Sequence, residues 1–172
     1  EDEVRKTLGN YIFAEDKNTL EGSIFELLQE VNKTISISEY LTWGNISKRI
    51  STIDKKGDQL KFSMSSNNLK ALVDNLKLSK NKPSIELNEE IALKVREFYG
   101  TDLSLSVMID YQEKTEADTY ITMSSENDTK SRVGKFIGDE HRITLGSVEM
   151  ALDCVRRYFE NLPFDEKSDF ER

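Results

Sequence analysis

The hydrophobic period of this chain switches repeatedly between two residues and about 3.6, and that switching restricts the fold more than any other feature. Leu103, Leu105, Val107 and Ile109 alternate as a half-buried strand does, whereas Leu145, Val148, Leu152, Val155, Phe159 and Leu162 recur at helical spacing. The same alternation runs through the rest of the chain. Leu20, Ile24, Leu27, Leu28 and Val31 mark an amphipathic helix, residues 34–38 a strand, and residues 46–53 a second helix. Leu60, Phe62 and Met64 predict the next strand, and residues 67–76 a short helix with Leu69, Leu72 and Val73 on one face. Asn88 reads as the N-cap of a helix whose buried stripe is Ile91, Val95 and Phe98 and whose stop is Gly100. Residues 119–123 and 132–137 predict two further strands across the polar turn Glu126-Asn127-Asp128. Strands alternating with helices imply an α/β domain, a three-layer α/β/α sandwich. Its sheet of about five strands is mixed and mostly parallel, with an antiparallel strand from the late β–β pair.

A chain of 172 residues supports one domain with a full core. Its net charge of −8 argues against a nucleic-acid surface, which needs clustered Lys and Arg to neutralise phosphate. No apolar run approaches the roughly 20 residues of a membrane span. The single cysteine, Cys154, allows no internal disulfide and points to a reducing, cytoplasmic compartment. The chain opens at Glu1 with charged helix formers, which suggests a piece of a longer protein. Residues 1–16 read as a lead-in from a preceding domain: a helix end over residues 1–8, a C-cap at Gly9, then an extended Tyr11-Ile12-Phe13. Residues 17–163 form the domain and residues 164–172 a flexible tail.

The segment Ser38-Glu39-Tyr40-Leu41-Thr42-Trp43-Gly44-Asn45 joins a strand to a helix, a place where backbone N–H groups can receive an anion or oxyanion. Such turns call for small residues, yet Tyr40 and Trp43 occupy two central positions. Ser66 and Lys70 stand four apart at the start of a predicted helix, where a desolvated lysine could activate a serine, although an exposed polar face explains the spacing as well. His141, the only histidine, lies just before the last helix and suggests a capping or surface role. Cys154 reads as a packed thiol on the boundary side of that helix. No His and Cys cluster has metal-ligand spacing, and no glycine-rich run opens a helix, so neither metal nor cofactor is expected.

In the order of its segments the chain resembles the C-terminal domain of the competence/damage-inducible CinA family, whose active members are nicotinamide mononucleotide amidases. The resemblance runs from Val4-Arg5-Lys6-Thr7-Leu8-Gly9 through residues 34–51 and Tyr99-Gly100-Thr101-Asp102-Leu103 to Ala151-Leu152-Asp153-Cys154-Val155-Arg156-Arg157-Tyr158. The family's turn reads Glu-Ser-Cys-Thr-Gly-Gly. Here Glu39, Thr42 and Gly44 match it, but Tyr40 replaces the serine nucleophile, Leu41 the cysteine and Trp43 the first glycine. The family's Tyr-Ser-Asn-Glu-Ala-Lys corresponds to Ser65-Ser66-Asn67-Asn68-Leu69-Lys70, which keeps the activating lysine as Lys70. Its Thr-Gly-Ile-Ala-Gly-Pro aligns with Met108-Ile109-Asp110-Tyr111-Gln112-Glu113, and Glu140 stands where an arginine is common.

The resemblance implies a domain that has lost its amidase chemistry. Tyr40 and a vestigial Lys70 stand in the catalytic places, and Glu39, Thr42, Gly44, Ser65 and Asn67 in the binding ones. A phenol with an ordinary pKa of about 10 is a poor nucleophile towards an amide. The function expected is that of a structural or interaction module, with a homodimer and the preceding domain of the same chain as partners. The alternatives are an active amidase whose nucleophile has moved to Ser66 or Ser65 beside Lys70, and a small-molecule binding domain with an aromatic pocket of Trp43, Tyr40 and Tyr111.

Overall fold

A computed structural model of the chain describes residues 19–166. The expected lead-in helix, the Gly9 cap, the extended residues 11–13 and the last six residues of the expected tail lie outside that range. Ten elements follow in order: α1 (Leu20–Glu30), β1 (Ile35–Tyr40), α2 (Asn45–Ile53), β2 (Leu60–Ser66), α3 (Leu69–Asn75), α4 (Ile85–Tyr99), β3 (Leu103–Glu113), β4 (Glu116–Ser124), β5 (Thr129–Ile137) and α5 (Glu140–Glu160). The strands form one sheet in the order β2-β1-β3-β4-β5. β1 runs parallel to β2 and β3, while β3, β4 and β5 form an antiparallel meander. The sheet is therefore mixed as expected, and its two halves are of opposite kinds.

Alternation along the strands sorts the core into two. Leu103, Leu105, Val107 and Ile109 enter the larger cluster, with Ile24 and Leu28 of α1, Ile46 and Ile50 of α2, and Leu152 and Val155 of α5. Met108 enters a second cluster with Leu72 and Val73 of α3 and Leu87, Ile91 and Val95 of α4. Helices thus cover both faces, and the sandwich has three layers.

Small polar residues on the second face let α4 approach closely. Ser104 Oγ donates to the carbonyl of Ala92 at 2.6 Å, and Ser106 Oγ to Asn88 Oδ1 at 2.7 Å. Asn88 Nδ2 in turn donates to the Ser106 carbonyl and to Thr122 Oγ1, each at 3.0 Å. Asn88 is therefore a satisfied polar residue within the helix and not its cap. Ser84 is the cap, its Oγ accepting from the Leu87 N–H at 3.1 Å. Phe98, expected in the buried stripe, is 78 % exposed. Tyr99, one residue on, turns to the sheet instead and stacks on Phe62.

Cys154 is fully buried in the larger core and not at its boundary, and the C-terminal segment packs back on the same core. Phe164, within the expected tail, is buried in the same core. Arg157 fixes the segment, donating to the Pro163 carbonyl at 2.9 Å and to Glu166 at 2.7 Å. Leu162 falls beyond the end of α5. Among the described residues no helix is long and apolar enough to cross a membrane.

Candidate functional site: the turn after β1

Tyr40 is the last residue of β1 and Asn45 the first of α2. Leu41, Trp43 and Gly44 between them have φ of 65°, 58° and 72°, all in the left-handed region. Left-handed backbone costs a non-glycine residue roughly 1–2 kcal/mol, so something must hold Leu41 and Trp43 there. Glu39 does. Its side chain is fully buried and turned back under α2. Oε2 accepts from Thr42 Oγ1 at 2.6 Å and from the Ile46 N–H at 3.1 Å, and Oε1 from the Ser47 N–H at 2.9 Å and also from Ser47 Oγ. Leu41 N–H donates to the Ser66 carbonyl at 3.1 Å, and Asn45 Nδ2 to that of Thr42 at 2.8 Å, which closes the loop on itself. The helix N-terminus that could have received an external anion is occupied by an internal carboxylate.

Tyr40 leaves the sheet on the opposite face from Glu39 and packs, partly buried, against the second core beside Met108, its register partner on β3. Burial first, and then the charge of Asp110, push its phenol above the ordinary value of 10. It is neutral at physiological pH and donates no electron pair to a carbonyl. Trp43 does not fill the space above it and stands 56 % exposed. Tyr111 lies on the other face of the sheet, against the larger core. The three aromatics therefore share no pocket.

Lys70 is in the first turn of α3 with its side chain 80 % exposed, and its Nζ bridges Asp74 at 2.5 Å. A lysine becomes a base only where burial strips water from the ammonium. Ser66 closes β2 and is not on the helix: its Oγ donates to the Asn68 carbonyl at 2.9 Å and accepts from the Asn68 N–H at 3.0 Å. No hydrogen bond joins it to Lys70. Ser65 and Asn67 are exposed. Ser65 is the nearest side chain to Gly44, whose missing Cβ would lie 3.8 Å from its Cβ and Oγ. Structure brings Glu39, Thr42, Gly44 and Ser65 together and leaves Lys70 outside.

The segment aligned with the glycine-rich motif is strand, residues 108–113 of β3 pairing across the hairpin with β4. Asp110 lies opposite Asp118 in that ladder. Burial, with Asp118 adding to it and a hydrogen bond from Gln112 opposing, raises the Asp110 carboxyl above its ordinary value. Tyr120 is raised likewise, by burial and then by Asp110, Asp118 and Glu86. Acidic groups thus stand where a phosphate site would need positive charge. Glu140 sits in the first turn of α5, behind its N-cap Asp139. His141 follows it, exposed, on a small cavity of about 140 Å³ that Arg49 and Thr144 also line. Among the described residues no group of three or more His, Cys, Asp or Glu could hold a metal.

Sequence reasoning missed Asp54, whose carboxylate accepts the N–H groups of Asp58, Gln59 and Leu60 and ties α2 to β2. An Asp directly after a helix and before a Gly turn is the signal that could have found it. Arg96 was missed too, and its position carries no sequence signal.

No protein-family model matches the chain. In sequence it is 30 % identical to a putative competence-damage inducible protein of Caldanaerobacter subterraneus, over 96 % of this chain and 43 % of that protein. It is 27 % identical to a CinA-like protein of Geotalea uraniireducens, over 98 % of this chain and 43 % of that protein. The chain thus spans under half the length of the curated relatives it matches. In fold it resembles a competence or damage-inducible protein of Enterobacter asburiae, with a TM-score of 0.72 at 14 % identity over 86 % of this chain and 100 % of that one. A CinA superfamily protein of Escherichia coli matches with a TM-score of 0.70 at 15 % identity, over 84 % and 94 %. In fold, and in sequence along almost its whole length, the chain is thus similar to CinA-like and competence/damage-inducible proteins.

Proposed function

We propose that this CinA-like domain is catalytically inactive and serves as a structural or interaction module of a competence/damage-inducible protein. The observation that carries the reading is Tyr40: the residue in the nucleophile's place is a neutral phenol packed against Met108. Supporting it, Lys70 faces solvent with Asp74 as its partner. Losing a nucleophile costs several orders of magnitude in rate. The module would work in the cytoplasm as a homodimer beside a preceding domain of the same chain, as the resemblance implies.

Incubation of the purified chain with nicotinamide mononucleotide and an assay for ammonia tests the reading. The expected result is release no faster than in buffer. Turnover by the wild type that Lys70→Ala abolishes would overturn it and favour an amidase with a relocated serine.

A further inference from the structure

The end of the sheet opposite the turn holds a cavity of about 410 Å³. Its walls come from the ends of α1, α4 and α5 and from the β4–β5 turn, and they include Lys33, Arg96, Asp102, Glu126, Tyr158 and Phe159. Two of the charges are committed to each other, Lys33 Nζ to Asp102 at 3.3 Å. Among the described residues the Arg96 side chain is committed to none. Its Nε is buried without a hydrogen-bond partner, and no ion pair joins its guanidinium to a described residue. A buried unsatisfied donor on a charged group is costly, and native proteins seldom keep one without a use. Beside it Tyr158 and Phe159 meet edge to face at 5.8 Å, with the Lys130 ammonium 5.4 Å from the centre of the Tyr158 ring.

We propose that this cavity is a binding site for a small organic monocarboxylate. Its carboxylate engages the guanidinium of Arg96 and its apolar body lies against Tyr158 and Phe159. Arginine's planar fork matches a carboxylate in two-point contact, here through its terminal nitrogens. Phosphate monoesters present the same oxygens with more charge, and the surroundings decide between the two. α1, α4 and α5 all end at this cavity, each bringing the negative end of its dipole, equivalent to roughly half a charge, and Glu126 adds a carboxylate. One ligand charge is balanced by Arg96, whereas a second would find only Lys33 and Lys130, which already pair with Asp102 and Asp128. The site lies at the far end of the strands from Tyr40 and does not depend on whether the turn is active.

Titration of the labelled chain with benzoate, followed by NMR, tests this, with inorganic phosphate and phenyl phosphate as further arms. Benzoate is expected to bind saturably in the millimolar range or tighter, shifting Arg96, Tyr158 and Asn127, with the phosphates at least about tenfold weaker. Arg96→Gln should weaken benzoate about ten- to a hundredfold. Arg96→Lys keeps the charge but loses the fork, and should weaken it as well. A purely structural arginine would lower the melting temperature on substitution without touching benzoate affinity. Absence of saturable shifts in the wild type, equal affinity in wild type and Arg96→Gln, or tighter binding of phenyl phosphate than of benzoate would each overturn the proposal.

Discussion

Two charged side chains at opposite ends of the sheet have their buried polar atoms treated in opposite ways. At the turn after β1, the carboxylate of Glu39 receives Thr42, both donors of Ser47 and the N–H of Ile46. At the far end, the Nε of Arg96 donates to no described residue. A strand-to-helix turn is the more familiar place for a ligand, yet here it is internally complete. Unfinished solvation, more than position in the fold, marks where a ligand would lower the free energy.

The sharpest way to break this contrast is Glu39→Ala. Removing a buried carboxylate while leaving its donors in place should cost about 3–5 kcal/mol, read as a lower urea midpoint with an unchanged m-value. A loss below about 1 kcal/mol would mean that water satisfies those donors and that the turn is open after all.

Acid separates the two ends next. Asp102, at the far end, is held below its ordinary value of 3.8, chiefly by the Thr34 N–H. Its contribution to stability is full above that value and disappears as pH falls through the lowered folded value. Asp110, at the turn end, is raised by burial and by Asp118, so its effect has the opposite sign. The stabilisation that comes with its protonation is complete below 3.8 and lost as pH rises through the raised folded value. Carboxyl-carbon NMR should find Asp110 titrating at higher pH than Asp102, and a reversed order would remove the acidic character assigned to the turn end. Consistently, Asp110→Asn should stabilise the protein at neutral pH by about 0.2–1 kcal/mol, since like charges face each other across the ladder.

The smallest expected effect is that of Trp43→Gly. Glycine accepts a φ of 58° without strain, and the indole it removes is mostly exposed. Relief of backbone strain and the added entropy of the unfolded chain nearly offset each other, so the change should lie within about 1 kcal/mol of zero. A larger loss in a melting experiment would show that Trp43 covers something.

Periodicity made the layers legible, because Leu103 to Ile109 and Val148 to Val155 obey the spacing that burial imposes. It failed where neighbours chose between equivalent residues. Phe98 and Tyr99 both suit the face of α4, and Phe62 on β2 decides for Tyr99. Asn88 has the chemistry of a cap, but Ser106 and Thr122 across the layer satisfy it inside the helix. At the turn, the replaced residues could be read directly. The fold of Glu39 back under α2 could not, since its partners are backbone N–H groups whose direction only the left-handed turn sets. Arg96 was invisible for the converse reason: what distinguishes it is a missing partner.

The most direct measurement follows the backbone amides of Ile46 and Ser47 by NMR while nicotinamide mononucleotide is added to the wild-type chain. Glu39 already occupies both, so neither resonance should move beyond the change produced by salt alone. A saturable shift of either amide would show that an external anion reaches the helix N-terminus, and would contradict the closed turn.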